Sequence, residues 1–421
     1  MERAYLRRIA DKALDSSLAA SGAVLIEGPK WCGKTRIAKE KSASALFLQD
    51  PDHTSTYLKA ADTKPSLLLR GETPRLLDEW QLAPVLWDAV RFAVDERGRP
   101  GQFILTGSAV PLDNAARHTG TGRISRLLLR PMSLYESLES SGEVSLKSLF
   151  EGPSEVEGAS ALNIEGVAEA LVRGGWPASV GEPCEIALKR IQDYVEAVIN
   201  IDVSRVDEVE KNPHLVRALL RSLARNVSTP ATMATIRQDI SGDGASISDK
   251  TMASYLNALR RIFVVEDLPA WNPALRSKTA LRTSPKRHFV DPSIATAVLR
   301  ATPGGLLDDF NLFGLLFESL CLRDLRVYAQ AIDGEVSHYR DKSGLEADAV
   351  VHLKDGRWGA VEVKMGAKEI ETAAENLKTF SGKINPDKMR PPSFLLVLTA
   401  AGPAYRRRDG VSIVPISCLK D

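Results

Sequence analysis

Along the first 130 residues, short apolar runs end in glycine or polar residues and are separated by stretches with helical spacing. AVLIE at 23–27 reads as a buried strand, and 34–42 as the helix after it. ALFLQD (45–50), PRLLDE (74–79) and QFILTGS (102–108) supply further short strands. Buried strands alternating with helices predict a parallel sheet covered by helices on both faces. The pattern then changes. Helical spacing dominates from about 160 to 225, and SSGEVSLKSLFEGPSEVEGAS (140–160) reads as a loop or linker. Residues 213–270 predict helix, turn, helix and a strand pair. An amphipathic helix follows 310, then a strand-rich stretch over 336–364 and more α/β to the end. The fold class expected is therefore multidomain α/β.

Composition adds mostly exclusions. The chain has 421 residues, 44% hydrophobic and 26% charged, which is enough for several ordinary globular domains. The cysteines Cys32, Cys184, Cys321 and Cys418 are scattered without C-x-x-C spacing, which argues against structural zinc and against a disulfide framework. MERAYLRRIADKALD has helical spacing but no continuous apolar segment, so it does not read as a secretory signal. No run approaches the roughly 18 apolar residues of a membrane span. These features predict a soluble, cytoplasmic protein.

The strongest chemical signal is GPKWCGKT, 28–35, directly after the first strand. It matches the phosphate-binding loop G-x-x-x-x-G-K-[ST] in full. Gly28 and Gly33 let the backbone turn and approach phosphate. Pro29, Lys30, Trp31 and Cys32 contribute mainly backbone N–H groups, Lys34 reaches the β- and γ-phosphates, and the Thr35 hydroxyl ligates Mg²⁺. Because the loop works through N–H groups, Trp31 and Cys32 are tolerated, Trp31 as a packing residue and Cys32 as a small filler. In LLDE, Asp78 is placed to hold the Mg²⁺ shell and Glu79 to polarise the attacking water. LTGS puts Thr106 and Ser108 at a strand end, where a hydroxyl can sense the γ-phosphate or position water. Among Arg123, Arg126 and Arg130, Arg123 is the candidate arginine finger, in cis or from a neighbouring subunit. ATP and Mg²⁺ are the ligands these residues call for.

The net charge of +1 conceals an asymmetry: residues 211–290 hold 13 Lys/Arg against 5 Asp/Glu. Within them, SISDKTMASYLNALRRIFVVEDL predicts a helix capped by Ser248, with Met252, Tyr255, Leu256 and Leu259 on one apolar face. Lys250, Thr251 and Ser254 lie off that face. This resembles the recognition helix and wing of a winged helix-turn-helix, which either contacts DNA or packs between domains.

Further on, Asp348 opens an apolar strand, and after Asp355-Gly356 the strand WGAVEVK carries Glu362 and Lys364 on one face. Asp on one strand and Glu-x-Lys on the next is the metal-site pattern of PD-(D/E)XK nucleases, with lysine serving the water. Glu318, in the apolar helix 311–325, would be a third acidic ligand.

GPKWCGKT, LLDEWQ, LTGS, RGGWP (173–177), SYLNALRRIFVVEDLPAW, FVDPSI (289–294), LFESL and E-A-D with VEVK together carry a wider resemblance. The chain resembles the prokaryotic AAA-type ATPases that carry a C-terminal domain of unknown function with a restriction-endonuclease-like core. The resemblance covers nearly the full length. It implies ATP binding and hydrolysis, and a winged helix between two α/β domains. Proline followed by a basic residue in the loop looks like a family habit. Ala347 departs from the pattern, because a larger apolar residue is more usual there. The implied division is an AAA-type domain over 1–135, a linker and helical region over 136–205, a winged helix over 206–290 and a nuclease-like domain over 291–421. Two functions stay open: an Mg-ATPase acting on or near DNA, and a nucleotide-switched binding protein whose nuclease-like domain is an inactive scaffold. The oligomeric state is left open too.

Overall fold

The computed structural model describes residues 4–107, 120–152, 155–206, 209–242, 247–273, 284–385 and 389–421. Ser108, a candidate hydroxyl of the sequence reading, lies outside them. The chain divides into two compact units. The first comprises Met1–Pro131, Ile201–Glu210 and Asn257–Phe263, and the second Met132–Asn200, Lys211–Leu256 and Val264–Asp421.

In the first unit the elements are α1 (Ala10–Ala20), β1 (Ala23–Glu27), α2 (Lys34–Lys41), β2 (Ser44–Phe47), α3 (Thr54–Thr63), β3 (Arg75–Asp78), α4 (Val85–Arg97), β4 (Phe103–Gly107) and β5 (Ile124–Leu128). The five strands form a parallel sheet in the order β2-β3-β4-β1-β5. Strand alternation explains why the runs are continuously apolar. Ala23 and Leu25 face a core with Leu77, Leu105, Ala61 of α3 and Trp87 of α4. Val24 and Ile26 face the other side, against Leu14 of α1 and Ile37 of α2. Both faces are buried under helices, as the pattern predicts. Strand β4 lies between β1 and β3, so the ends of all three strands meet at one edge of the sheet.

The second unit adds β6 (Val144–Ser145), α5 (Leu146–Glu151), β7 (Gly158–Ala159), α6 (Ile164–Arg173) and α7 (Cys184–Ala197). A short α8 (Val203–Arg205) returns to the first unit. Then come α9 (Pro213–Arg225), α10 (Met233–Gly242), α11 (Asp249–Arg261, whose residues from Asn257 on belong to the first unit), α12 (Pro292–Leu299), α13 (Pro303–Asp308) and α14 (Phe310–Ala331). The last elements are β8 (Gly334–Arg340), β9 (Glu346–Leu353), β10 (Trp358–Lys364), α15 (Ile370–Lys383), β11 (Phe394–Thr399), β12 (Pro403–Arg406), β13 (Ser412–Pro415) and β14 (Leu419–Lys420). A mixed sheet runs β7-β12-β13-β11-β10-β9-β8, and α15 packs Ala374, Leu377 and Phe380 on it against Trp358 and Val397.

Residues 140–160 are not the expected loop. Val144 and Ser145 pair with Leu419 and Lys420, and Gly158 and Ala159 pair with Ala404 and Pro403. Between them α5 is capped by Ser145, whose hydroxyl accepts from Ser148 N, and it buries Leu146, Leu149 and Phe150. The polar, glycine-bearing composition belongs to short sheet edges rather than to a linker.

RGGWP and FVDPSI are explained by contact with each other. Asp291 accepts from Gly175 N at 3.0 Å, and Trp176 Nε1 donates to Ser293 Oγ at 2.9 Å. A Cβ on Gly175 would lie 2.1 Å from the Met132 carbonyl oxygen, so only glycine fits there. Arg323 of α14 closes the arrangement, donating to Asp291 at 3.0 Å and to Asp324 at 2.8 Å, with all three side chains fully buried. Asp324 also accepts from Leu134 N at 2.9 Å. Removing one partner from a buried ion network leaves uncompensated charge. Arg323→Met is therefore expected to lower unfolding free energy by about 3–5 kcal/mol in urea titrations. A loss near zero would show that the two carboxylates are compensated elsewhere.

Candidate functional site

Strand β1 delivers the chain to the phosphate loop at the edge where β3 and β4 also end. Gly28 has φ +148°, and a Cβ there would meet the Leu129 carbonyl oxygen at 2.2 Å, so the loop can pass β5 only with glycine. Gly33 has φ +102° and precedes the first turn of α2, whose unpaired N–H groups face the loop. Trp31 also takes a left-handed conformation, φ +68°, and is 55% exposed. The backbone turn carries the Trp31 side chain outward, so that about half of it is exposed. Cys32 does fill core, beside Val24, Ile26 and Ile37, and its carbonyl accepts from Arg8 Nη1 at 2.8 Å. Lys30 is anchored by Asp202 at 2.5 Å, and Pro29 supplies a carbonyl to Lys34. The Lys34 ammonium donates to the Gly28 and Pro29 oxygens at 2.9 and 2.7 Å and is almost wholly buried.

Asp78 is the centre of the site. Its side chain, 1% exposed, accepts from Thr35 Oγ1 at 2.8 Å, from Thr106 Oγ1, and from Gln49 Nε2 at 2.6 Å. These donors come from the start of α2, the end of β4 and the turn after β2. Next to it, Glu79 leaves the strand in a left-handed conformation, φ +55°, unusual for a residue with a Cβ. Gln81 donates to its carboxylate, while Gln81 Oε1 is buried without a partner among the described residues. Burial pushes the Glu79 carboxyl above its usual range, and the Gln81 bond and the Lys34 charge pull it partly back. Buried Asp78 and the Thr35 hydroxyl are hard oxygen donors side by side, a set that suits Mg²⁺.

Arg123 is not brought to this site. The parallel register sets Ala23 opposite Ile124, so Arg123 lies at the sheet edge opposite the loop, where it pairs with Asp95 at 2.8 Å. A finger acting in cis from this position is excluded by the strand direction. Arg126 sits farther along β5 and is held by Glu27 at 3.1 Å. Gln49, Gln81 and Asp202 were missed in the sequence. Gln49 had a signal, since it follows a strand parallel to β3 and so ends at the same edge.

In the second unit, Asp348, Glu362, Lys364 and Glu318 do come together. Strands β9 and β10 pair antiparallel, and α14 brings Glu318 to the same place. Lys364 Nζ lies 2.9 Å from Glu362 and 3.7 Å from Asp348. Val363 N donates to Asp348 at 2.9 Å, and Asn376 Nδ2 to Glu362 at 2.6 Å. The unforeseen member is Lys286, whose Nζ lies 2.8 Å from Glu318 and 3.3 Å from Asp348. Burial and the neighbouring Asp348 charge push Glu318 up to about 8 and Glu362 up to about 7. Burial also raises Asp348, but the Lys286 and Lys364 charges outweigh it and hold Asp348 below its usual range. Among the described residues no three His, Cys, Asp or Glu side chains form a group that could hold a metal ion. Lys286 and Lys364 lie among Glu318, Asp348 and Glu362, the residues expected to ligate metal.

Helix α11 begins as expected, with Ser248 Oγ accepting from Thr251 N at 3.1 Å. Met252, Tyr255, Leu256 and Leu259 are buried, Lys250 and Ser254 are exposed, and Thr251 is half-buried. Beyond it, Val265 and Leu268 bridge antiparallel to Phe289 and Lys286; residues 274–283 lie outside the described residues.

Residues 20–138 match the family model of the AAA domain. They carry an AAA-type P-loop domain. Residues 164–304 match a Domain of unknown function (DUF8612), and 313–419 a Domain of unknown function (DUF4143). Uncharacterized proteins of Mycobacterium tuberculosis and Mycobacterium bovis are each 25% identical over 362 residues, covering 85% of this chain and 74% of theirs. A Walker-type ATPase of Pyrococcus abyssi is similar over 71% of this chain and 99% of its own, at 16% identity and a TM-score of 0.44. Among the described residues no helix is long and apolar enough to cross a membrane. The AAA match and the loop geometry agree on an ATP-binding ATPase domain of the P-loop type.

Proposed function

We propose that this protein binds Mg-ATP at the Gly28–Thr35 loop and hydrolyses it, with Glu79 polarising the attacking water. The observation that supports this most is the pairing of roles at Asp78 and Glu79: one carboxylate buried under three donors, the next turned out of the strand and half-buried. Bound Mg²⁺ would be held through Thr35 and Asp78 and would neutralise charge on the transferring phosphoryl group. Lys34 supplies positive charge to the same oxygens, and the N–H groups of the loop and of α2 orient them. Burial makes the Glu79 carboxylate more basic than an exposed one, which suits proton acceptance from water. Thr106, which donates to Asp78, would be the hydroxyl at the end of β4 that senses the γ-phosphate or positions water.

For the second unit, the reading is a winged helix formed by α9–α11 and the strand pair after them, meeting duplex DNA through the exposed side of α11. The support is the excess of basic residues over 211–290 and the exposure of Lys250 and Ser254 beside a buried apolar face. No cleavage step is proposed for the carboxylate cluster. Its lysine pairing favours a scaffold role for that part of the chain.

Glu79→Gln should retain ATP binding and lose most turnover, because the phosphate cradle survives while water activation does not. Lys34→Ala should weaken binding itself. Steady-state hydrolysis together with nucleotide titration separates the two effects. Turnover by Glu79→Gln at the wild-type rate would remove Glu79 from the mechanism.

Duplex binding should fall with salt, with a slope of about −0.9 in log K per neutralised phosphate. Lys250→Glu should flatten that slope by about one such contact in fluorescence anisotropy titrations. Absence of wild-type binding at low salt would discard the DNA reading.

A further inference from the structure

We infer that Lys286 is the resident cation of the Glu318–Asp348–Glu362 cluster, and that the cluster takes no divalent metal while Lys286 is seated. The inference is independent of the ATP reading. A hard divalent ion shared by Glu318 and Asp348 would need both carboxylates within roughly 2.0–2.6 Å. The Lys286 ammonium stands between those carboxylates, 2.8 Å from Glu318 Oε1 and 3.3 Å from Asp348 Oδ1. A second cation there would face an ammonium at contact distance in a largely buried site.

The second oxygen of Asp348 and both oxygens of Glu362 are engaged as well. Asp348 Oδ2 accepts from Val363 N, Glu362 Oε1 from Asn376, and Glu362 Oε2 from Lys364. Protein donors therefore hold five of the six carboxylate oxygens of the cluster. Lys286 is also anchored at its backbone. It exchanges two hydrogen bonds with Leu268, 2.9 and 3.0 Å, so its ammonium cannot leave without disturbing that strand pair or bending a side chain that is 4% exposed. Two buried carboxylates and the partly buried Glu318, with two ammonium groups among them, keep the repulsion low without metal. Any divalent-dependent chemistry at this place requires Lys286 to withdraw first.

The test uses the full chain without nucleotide, with Mn²⁺ as the probe, read by thermal unfolding and by electron paramagnetic resonance of free Mn²⁺. Wild type and Asp348→Asn should respond to Mn²⁺ alike. Lys286→Met, and Lys286→Gln as the polar alternative should methionine fail to fold, should gain an Mn²⁺-dependent rise of several degrees and one bound ion. Adding Asp348→Asn should abolish that gain. A wild-type Mn²⁺ response lost in Asp348→Asn overturns the inference, whatever the Lys286 variants do. So does a folded Lys286 variant that binds no Mn²⁺, since the ammonium would then not occupy a cation position.

Discussion

One carboxylate organises the nucleotide edge of the first unit. Asp78 ends a strand that is not adjacent to the strand carrying the phosphate loop, because β4 lies between them. The three hydrogen bonds it accepts reach across that gap, from Thr35 behind β1, from Thr106 on β4 and from Gln49 behind β2. A buried anion needs such donors to offset lost hydration. The same requirement that stabilises the charge therefore fixes the relative position of the loop, β4 and β2. Thr35 and Asp78 meet because the fold must satisfy Asp78, and the proposed Mg²⁺ ligation would use the arrangement that results.

The second unit solves a similar problem differently. Arg323 is matched to Asp291 and Asp324, and it ties α14 to RGGWP and FVDPSI. The cluster around Asp348 is matched by Lys286 and Lys364. In both places buried acids are paired with basic side chains, and each includes a long-range pair, Arg323 with Asp291 and Lys286 with Asp348. In the second case the acidic residues with Lys364 follow the pattern expected of a metal site, and Lys286 adds a cation that the pattern does not contain.

Much of the first unit was legible because its signals are local. Apolar runs gave the strands, and the loop motif is contiguous. Asp78 and Glu79 sit beside each other at a strand end, although the left-handed turn at Glu79 was not visible in any residue type. Period-two alternation placed Glu362 and Lys364 together, and helical apolarity singled out Glu318. What failed was long-range. Residues 140–160 looked like a linker because their strands are two residues long and form only by pairing with residues beyond 400. Lys286 counted only as one more basic residue, since nothing nearby announces that its ammonium will meet acids from α14 and β9. Arg123 was chosen for its glycine-rich setting, and the direction of β5, which decides where it lies, is a property of the sheet.

The most direct test of the role given to Asp78 is the Mg²⁺ dependence of ATP affinity in wild type and in Asp78→Asn. The account predicts that Mg²⁺ tightens ATP binding to wild type, and that Asp78→Asn binds metal-free ATP about as well as wild type but gains nothing from Mg²⁺. If Mg²⁺ tightens binding equally in both proteins, Asp78 does not organise the metal and the central claim fails.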